Sequence, residues 1–199
     1  MLRCSTLIIA LLLYTAHTFA QVAPSEDFLG LLDAADLQLG IAPDNTYREL
    51  PLFNRFDEDA QHFDMAFEDR KSRIEVRYLV DLMPEGSDLA VVPHVLAMTL
   101  AMNLATNDED SYMTARYLDG EELAAYHADF ATMINFVPNE RHSRMPHGQL
   151  IAMYREGRGM AYICLFFKKA NDALDEYNRS LTFEEDKPVT PSTMTTKGQ

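Results

Sequence analysis

The sequence predicts an α+β protein, a three-layer α/β/α sandwich around a mostly antiparallel sheet of five or six strands. Three observations carry that prediction. Two stretches alternate apolar and polar residues with period two and turn back on themselves through short polar loops. A late segment, Met160 to Phe167, is apolar on both faces, as a strand must be when the sheet is covered from both sides. Amphipathic helical segments stand before, between and after these strands, so both faces of the sheet have something to bury them.

The elements follow in order. Residues 21–44 predict a short helix and a loop: Ser25 suits the N-cap, and Phe28, Leu29, Leu31, Leu32 and Ala35 recur at helical spacing until Gly40 and Pro43 end the run. A hairpin opens the domain proper, set at residues 45–183. Phe63, Met65 and Phe67 alternate with Asp64, Ala66 and Glu68, and Ile74, Val76, Tyr78, Val80 and Leu82 alternate with Arg73, Glu75, Arg77 and Asp81. The expected register sets Phe67 against Ile74, Met65 against Val76 and Phe63 against Tyr78. It also brings Glu68 opposite Arg73 and Asp64 opposite Arg77 on the wet face. A slip of one residue would expose every apolar side chain, so the face is strongly specified.

Pro84-Glu85-Gly86 breaks the sheet. Pro93 suits the first turn of a helix, expected to run to about Ala105. Val95, Leu96, Met98, Leu100, Ala101, Met102 and Leu104 make it apolar over much of its circumference, which predicts a largely buried helix whose methionines fill gaps in the core. Asp119-Gly120-Glu121-Glu122 predicts a capping box opening a short helix through Tyr126 and His127. Phe130 to Val137 reads as a strand. Gln149–Tyr154 and Met160–Phe167 flank a turn at Arg155-Glu156-Gly157-Arg158-Gly159, where the glycines permit positive φ. Ala173, Leu174, Tyr177 and Leu181 form the apolar stripe of a last helix. Residues 184–199 are rich in Thr and Pro and poor in large apolar side chains, which predicts a disordered tail.

A hairpin before a buried helix, the Phe130–Val137 strand, and a second hairpin running into a C-terminal helix together resemble the PsbP-like fold, whose layout exported bacterial proteins of the DcrB type share. The resemblance covers about residues 45–182. Ile74-Glu75-Val76-Arg77-Tyr78 and Gly157-Arg158-Gly159-Met160-Ala161-Tyr162 are also similar to segments of uncharacterised secreted proteins of this kind. It implies an accessory or binding protein rather than an enzyme, and it carries over no functional residue.

The first 20 residues predict an export signal. Arg3 precedes the unbroken apolar run Leu7 to Tyr14, and Thr18-Phe19-Ala20 places small residues where a signal peptidase requires them, with cleavage after Ala20. That run is well short of the roughly 20 apolar residues a spanning helix needs, and Cys4 lies before it, where no lipid anchor would attach. A secreted or periplasmic address follows, with no membrane span after cleavage. The full chain carries a net charge of −14, and loss of Arg3 makes it more acidic still. Such a surface repels nucleic acid, because neutralising phosphates takes clustered Lys and Arg.

Candidate sites are sparse. His142 and His147 lie in one loop, Glu140 to His147, and two imidazoles beside a carboxylate can hold zinc or copper. Arg141 and Arg144 would repel such an ion, and the spacing matches no ligand motif. Asp57-Glu58-Asp59 and Asp108-Glu109-Asp110 lack the alternation and glycine of a calcium loop. His127 and Asp129 offer a base and a carboxylate, but no G-x-S-x-G or other nucleophile motif anchors them. Cys164, in a continuous apolar run, is expected to be core. Asn178-Arg179-Ser180 is a sequon, a possible glycan site in a eukaryotic host. The expectation is therefore an exported accessory or binding domain, without cofactor, whose protein or small-molecule partner the sequence does not name. The alternatives are a secreted hydrolase with an unfamiliar site and a small-ligand or metal carrier.

Overall fold

The computed structural model describes residues 22–42, 45–53, 61–83 and 92–185. Its elements run α1 (Glu26–Ala34), β1 (Leu37–Leu39), β2 (Tyr47–Glu49), β3 (Met65–Asp69), β4 (Ile74–Leu82), α2 (Pro93–Leu104), β5 (Met113–Tyr117), α3 (Gly120–Ala124), β6 (Phe130–Phe136), β7 (His147–Arg155), β8 (Gly159–Phe167), α4 (Ala173–Asn178) and β9 (Leu181–Phe183). Seven strands form an antiparallel sheet in the order β2-β3-β4-β8-β7-β6-β5, and β1 pairs with β9 in a separate ribbon. The count exceeds the five or six expected. The two additional strands lie at the edges, where a strand need not be apolar: β2 has three residues, and four of the five in β5 are exposed.

β8 sits at the centre, as its all-apolar sequence requires. All nine of its residues are buried, with nine pairs to β4 on one side and nine to β7 on the other. Its side chains divide between two cores. Ala161, Ile163 and Leu165 pack with Phe28 and Leu32 of α1 and with Leu174 and Tyr177 of α4. Met160, Tyr162, Cys164 and Phe166 pack with Ala97, Leu100, Ala101 and Leu104 of α2. The turn into β8 places Gly157 at φ 74° and Gly159 at φ 122°, and a Cβ on Gly159 would lie 2.1 Å from the Asp81 carbonyl oxygen.

The first hairpin forms, but in another register. Met65 faces Tyr78, Phe67 faces Val76 and Asp69 faces Ile74, two residues from the expected pairing. A shift of two preserves which side chains are buried, so apolar alternation cannot detect it. The turn decides: the Asp69 carboxylate accepts from the Lys71 amide (2.8 Å) and the Ser72 hydroxyl (2.5 Å), and Arg73 closes the loop at φ 60°. Asp64 consequently faces no arginine. Its carboxylate accepts from the Val80 amide at 2.7 Å, and Phe63 packs with the α2 core instead of beside Met65.

Three further expectations are corrected. The helix at 93–104 is buried along one face only, leaving Val95 50% and Met102 62% exposed, because the sheet covers one side of it. The capping box does not form: Asp119 makes no side-chain cap bond, and Glu122 is drawn instead to Arg116. Ser25 caps α1 through the Phe28 amide at 3.1 Å, as expected, and α1 and β1 pack into the first core. Leu181 belongs to β9, since α4 ends at Asn178 and Ser180 turns the chain back toward β1.

Candidate functional site

A groove of about 450 Å³ lies between the N-terminal segment and the β2–β3 edge. Ser25, the cap of α1, lies on one wall, and Tyr47, Arg48 and Glu49 of β2 form the other. Asp64, Met65 and Arg70 come from β3 and its flanks. Tyr47 is held by stacking on Phe67, centroids 4.5 Å apart, and Arg48 by Glu68 at 2.5 Å. Burial raises the Asp64 carboxyl above its ordinary range, partly offset by the Val80 amide. The lining thus combines apolar surface with both signs of charge.

A second, more open recess of about 390 Å³ is lined by His127, Ala128, Asp129, Arg155 and Glu185. His127 sits at φ 50°. Asp129 accepts from the Glu156 amide at 2.8 Å, and Arg155 donates to the Glu184 carbonyl. Tyr126 turns away into the core and donates to the Asn178 carbonyl at 2.9 Å. Among the described residues the recess gathers a base and carboxylates but no hydroxyl or thiol in its lining.

The histidines singled out by sequence lie elsewhere. His142 is buried; its Nε2 lies 3.1 Å from both the Arg141 Nε and the Asn103 carbonyl, in the turn that follows β6. Nδ1 of His147 lies 3.2 Å from the Tyr112 hydroxyl, and its ring tilts on Phe167. Among the described residues no group of three or more His, Cys, Asp or Glu is placed to hold a metal ion. Asp108 spends a carboxylate oxygen on the Asp110 amide, as an exposed turn does, and Asp57-Glu58-Asp59 lies outside the described residues. Cys164 is fully buried, and burial pushes its thiol up to about 12 despite the nearby Arg77. Asn178 is half-buried, its Oδ1 enclosed without a hydrogen-bond partner, and the Ser180 of its sequon lies in the core, 2.7 Å from the Tyr78 hydroxyl.

No pattern in the sequence signals the surroundings of Arg77. Its guanidinium lies 5.3 Å from the ring centroids of both Phe63 and Phe166, and it donates to Glu75 (3.1 Å) and to the His142 carbonyl (2.7 Å). Alternation alone places it on a solvated face. The bend at Asp64 brings Phe63 over it, and only the tertiary structure reveals that.

The chain is an α+β protein built on one large antiparallel sheet. The solution structure of cyanobacterial PsbP (CyanoP) from Synechocystis sp. PCC 6803 is similar to it, at 13% identity and a TM-score of 0.41, over 75% of this chain and 94% of that one. That weak likeness is of the PsbP-like kind expected from the element order, and it extends to fold alone. No family model and no curated protein matches the chain. No helix among the described residues is long and apolar enough to cross a membrane.

Proposed function

We propose that this chain is an exported accessory or binding domain, a three-layer α/β/α sandwich that recognises a partner rather than transforming a substrate. Residues 1–20 serve as its signal, cut after Ala20, and 184–199 as its tail, so the working protein is secreted or periplasmic. The observation that carries the reading is the groove of about 450 Å³ beside β2. Its mixture of tyrosine, methionine and paired charges suits contact with another polypeptide, where aromatic and apolar anchors sit among polar groups. The wide separation of chemistry-bearing side chains supports it as well. His127 lies in one recess, His142 and His147 lie against other elements, and Cys164 is enclosed in the α2 core.

The test is the native mass of the protein purified from the exported fraction of its own host. A species beginning at Gln21, with a co-purifying protein that is lost on Arg70→Glu, is the expected result. A chain retained inside the cell with Met1 intact would overturn the export reading. Substrate turnover abolished by His127→Ala would overturn the non-catalytic one.

A further inference from the structure

The two ends of the main sheet differ. At one end β2 is three residues long and carries Arg48 and Glu49, a short, charged edge of the sort that discourages pairing. At the other end β5 offers five residues, Met113 to Tyr117, with no proline and no carboxylate. Among the described residues no strand lies beyond it. Its one charge, Arg116, is neutralised within the chain by a two-pronged contact with Glu122, at 2.5 and 3.1 Å.

The hydrogen-bond phase of that edge is fixed. The Leu118 amide donates to the Ala131 carbonyl at 2.9 Å, and the β5–β6 register pairs Tyr117 with Thr132 and Ala115 with Ile134. Bonded and non-bonded pairs alternate along an antiparallel ladder. Thr114, Arg116 and Leu118 therefore point their backbone groups at β6, while Met113, Ala115 and Tyr117 point theirs outward. An antiparallel copy of the same strand centred on Ala115 would set Ala115 against Ala115, Met113 against Tyr117 and Thr114 against Arg116. Every outward group then meets an outward group of the partner, giving six inter-chain bonds across a twofold axis. No arginine faces an arginine, and Tyr117, 66% exposed, gains the Met113 side chain.

We infer that β5 is a self-pairing edge, through which two copies of this chain form a symmetric dimer with one sheet of twice seven strands. The occupant is a second copy because centring on Ala115 sets Tyr117 against Met113 and Arg116 against Thr114, so that no charge meets a like charge. Each chain carries a net charge of −14, so two copies approach most readily along a strand free of carboxylates. The arrangement leaves the groove beside β2 open at the far ends of the joined sheet, and it does not depend on that groove's role.

Sedimentation equilibrium of the purified protein tests this. The wild type is expected to dimerise, and Ala115→Pro to weaken dimerisation at least about tenfold, since two N–H donors vanish at the axis. That proline removes only an outward N–H, which an edge strand tolerates, so far-UV circular dichroism should be unchanged. Ala115→Cys should cross-link under mild oxidation, because opposed bonded residues lie about 5.5 Å apart at Cα, within disulfide reach. Thr114→Cys, offset from its own copy, should not. A wild type that stays monomeric at high micromolar concentration overturns the proposal, as does a folded Ala115→Pro that remains fully dimeric. Should Ala115→Pro fail to fold, the Ala115→Cys cross-link decides, and its absence overturns the proposal.

Discussion

The Tyr177 hydroxyl donates to Oδ2 of Asp69 at 3.0 Å, joining α4 to the end of β3 across 108 positions of sequence. Burial opposes ionisation of Asp69, but hydrogen bonds from Ser72, the Lys71 amide and Tyr177 outweigh it and hold the carboxyl below its usual range. A depressed carboxyl pKa contributes stability that is complete above the unfolded value, near 3.9, and is lost as pH falls through the folded one. Tyr177→Phe should therefore cost about 1 kcal/mol near neutral pH. Urea titrations at several pH values should show its deficit relative to wild type shrinking below about pH 4. A deficit constant with pH would mean the hydroxyl acts through packing alone.

Gly159 should tolerate no side chain. Its φ of 122° is reserved for glycine, and the new Cβ would collide with backbone at Asp81 and Met83 rather than with a movable side chain. Gly159→Ala should lose about 3 kcal/mol or more in thermal or chemical unfolding. Gly30, with open space around its Cβ position, supplies the control: Gly30→Ala, inside α1, should stabilise by up to about 1 kcal/mol.

Arg77 is expected to resist replacement even by lysine. An ammonium cannot stack between Phe63 and Phe166 while reaching both Glu75 and the His142 carbonyl. Arg77→Lys should cost about 1–2 kcal/mol. Hydrogen exchange should show the loop containing His142 opening more readily in that variant than in wild type.

Cys164 should be inert in the folded protein. With its thiol raised to about 12 and no exposure, it offers almost no thiolate near neutral pH. Peptide mass mapping after treatment with a maleimide should find Cys164 unmodified until denaturant is added. Rapid labelling without denaturant would mean that β8 opens locally.

What was legible in the sequence depended on burial. β8 could be read because both of its faces are covered, and β4 because its alternation is long. β5 could not: Met113-Thr114-Ala115-Arg116-Tyr117 is an edge exposed on both faces, and it displays no pattern that demands a sheet. The register of the first hairpin is not legible in apolar alternation, because a shift of two leaves every apolar residue buried and hydrogen bonds in the Asp69 turn make the choice. The groove was harder still. Ser25, Tyr47 and Arg70 converge only once α1 docks on the first core, and no spacing along the chain announces it. The histidines were conspicuous as residue types, but imidazole chemistry depends on neighbours, and the neighbours of His142 are a carbonyl and a guanidinium.

The central position of β8 also orders the assembly of the molecule in time. β4 holds nine pairs with β8 and none with β7, so among the described residues the early hairpin and the later strands are joined in the sheet only through β8. Until Phe167 is available, β4 has an apolar edge with nothing to meet, and closing the gap requires a loop of some eighty residues, a slow event for any chain. A polypeptide emerging from its N-terminus would therefore hold the first hairpin apart from the rest of its sheet until β8 had been made.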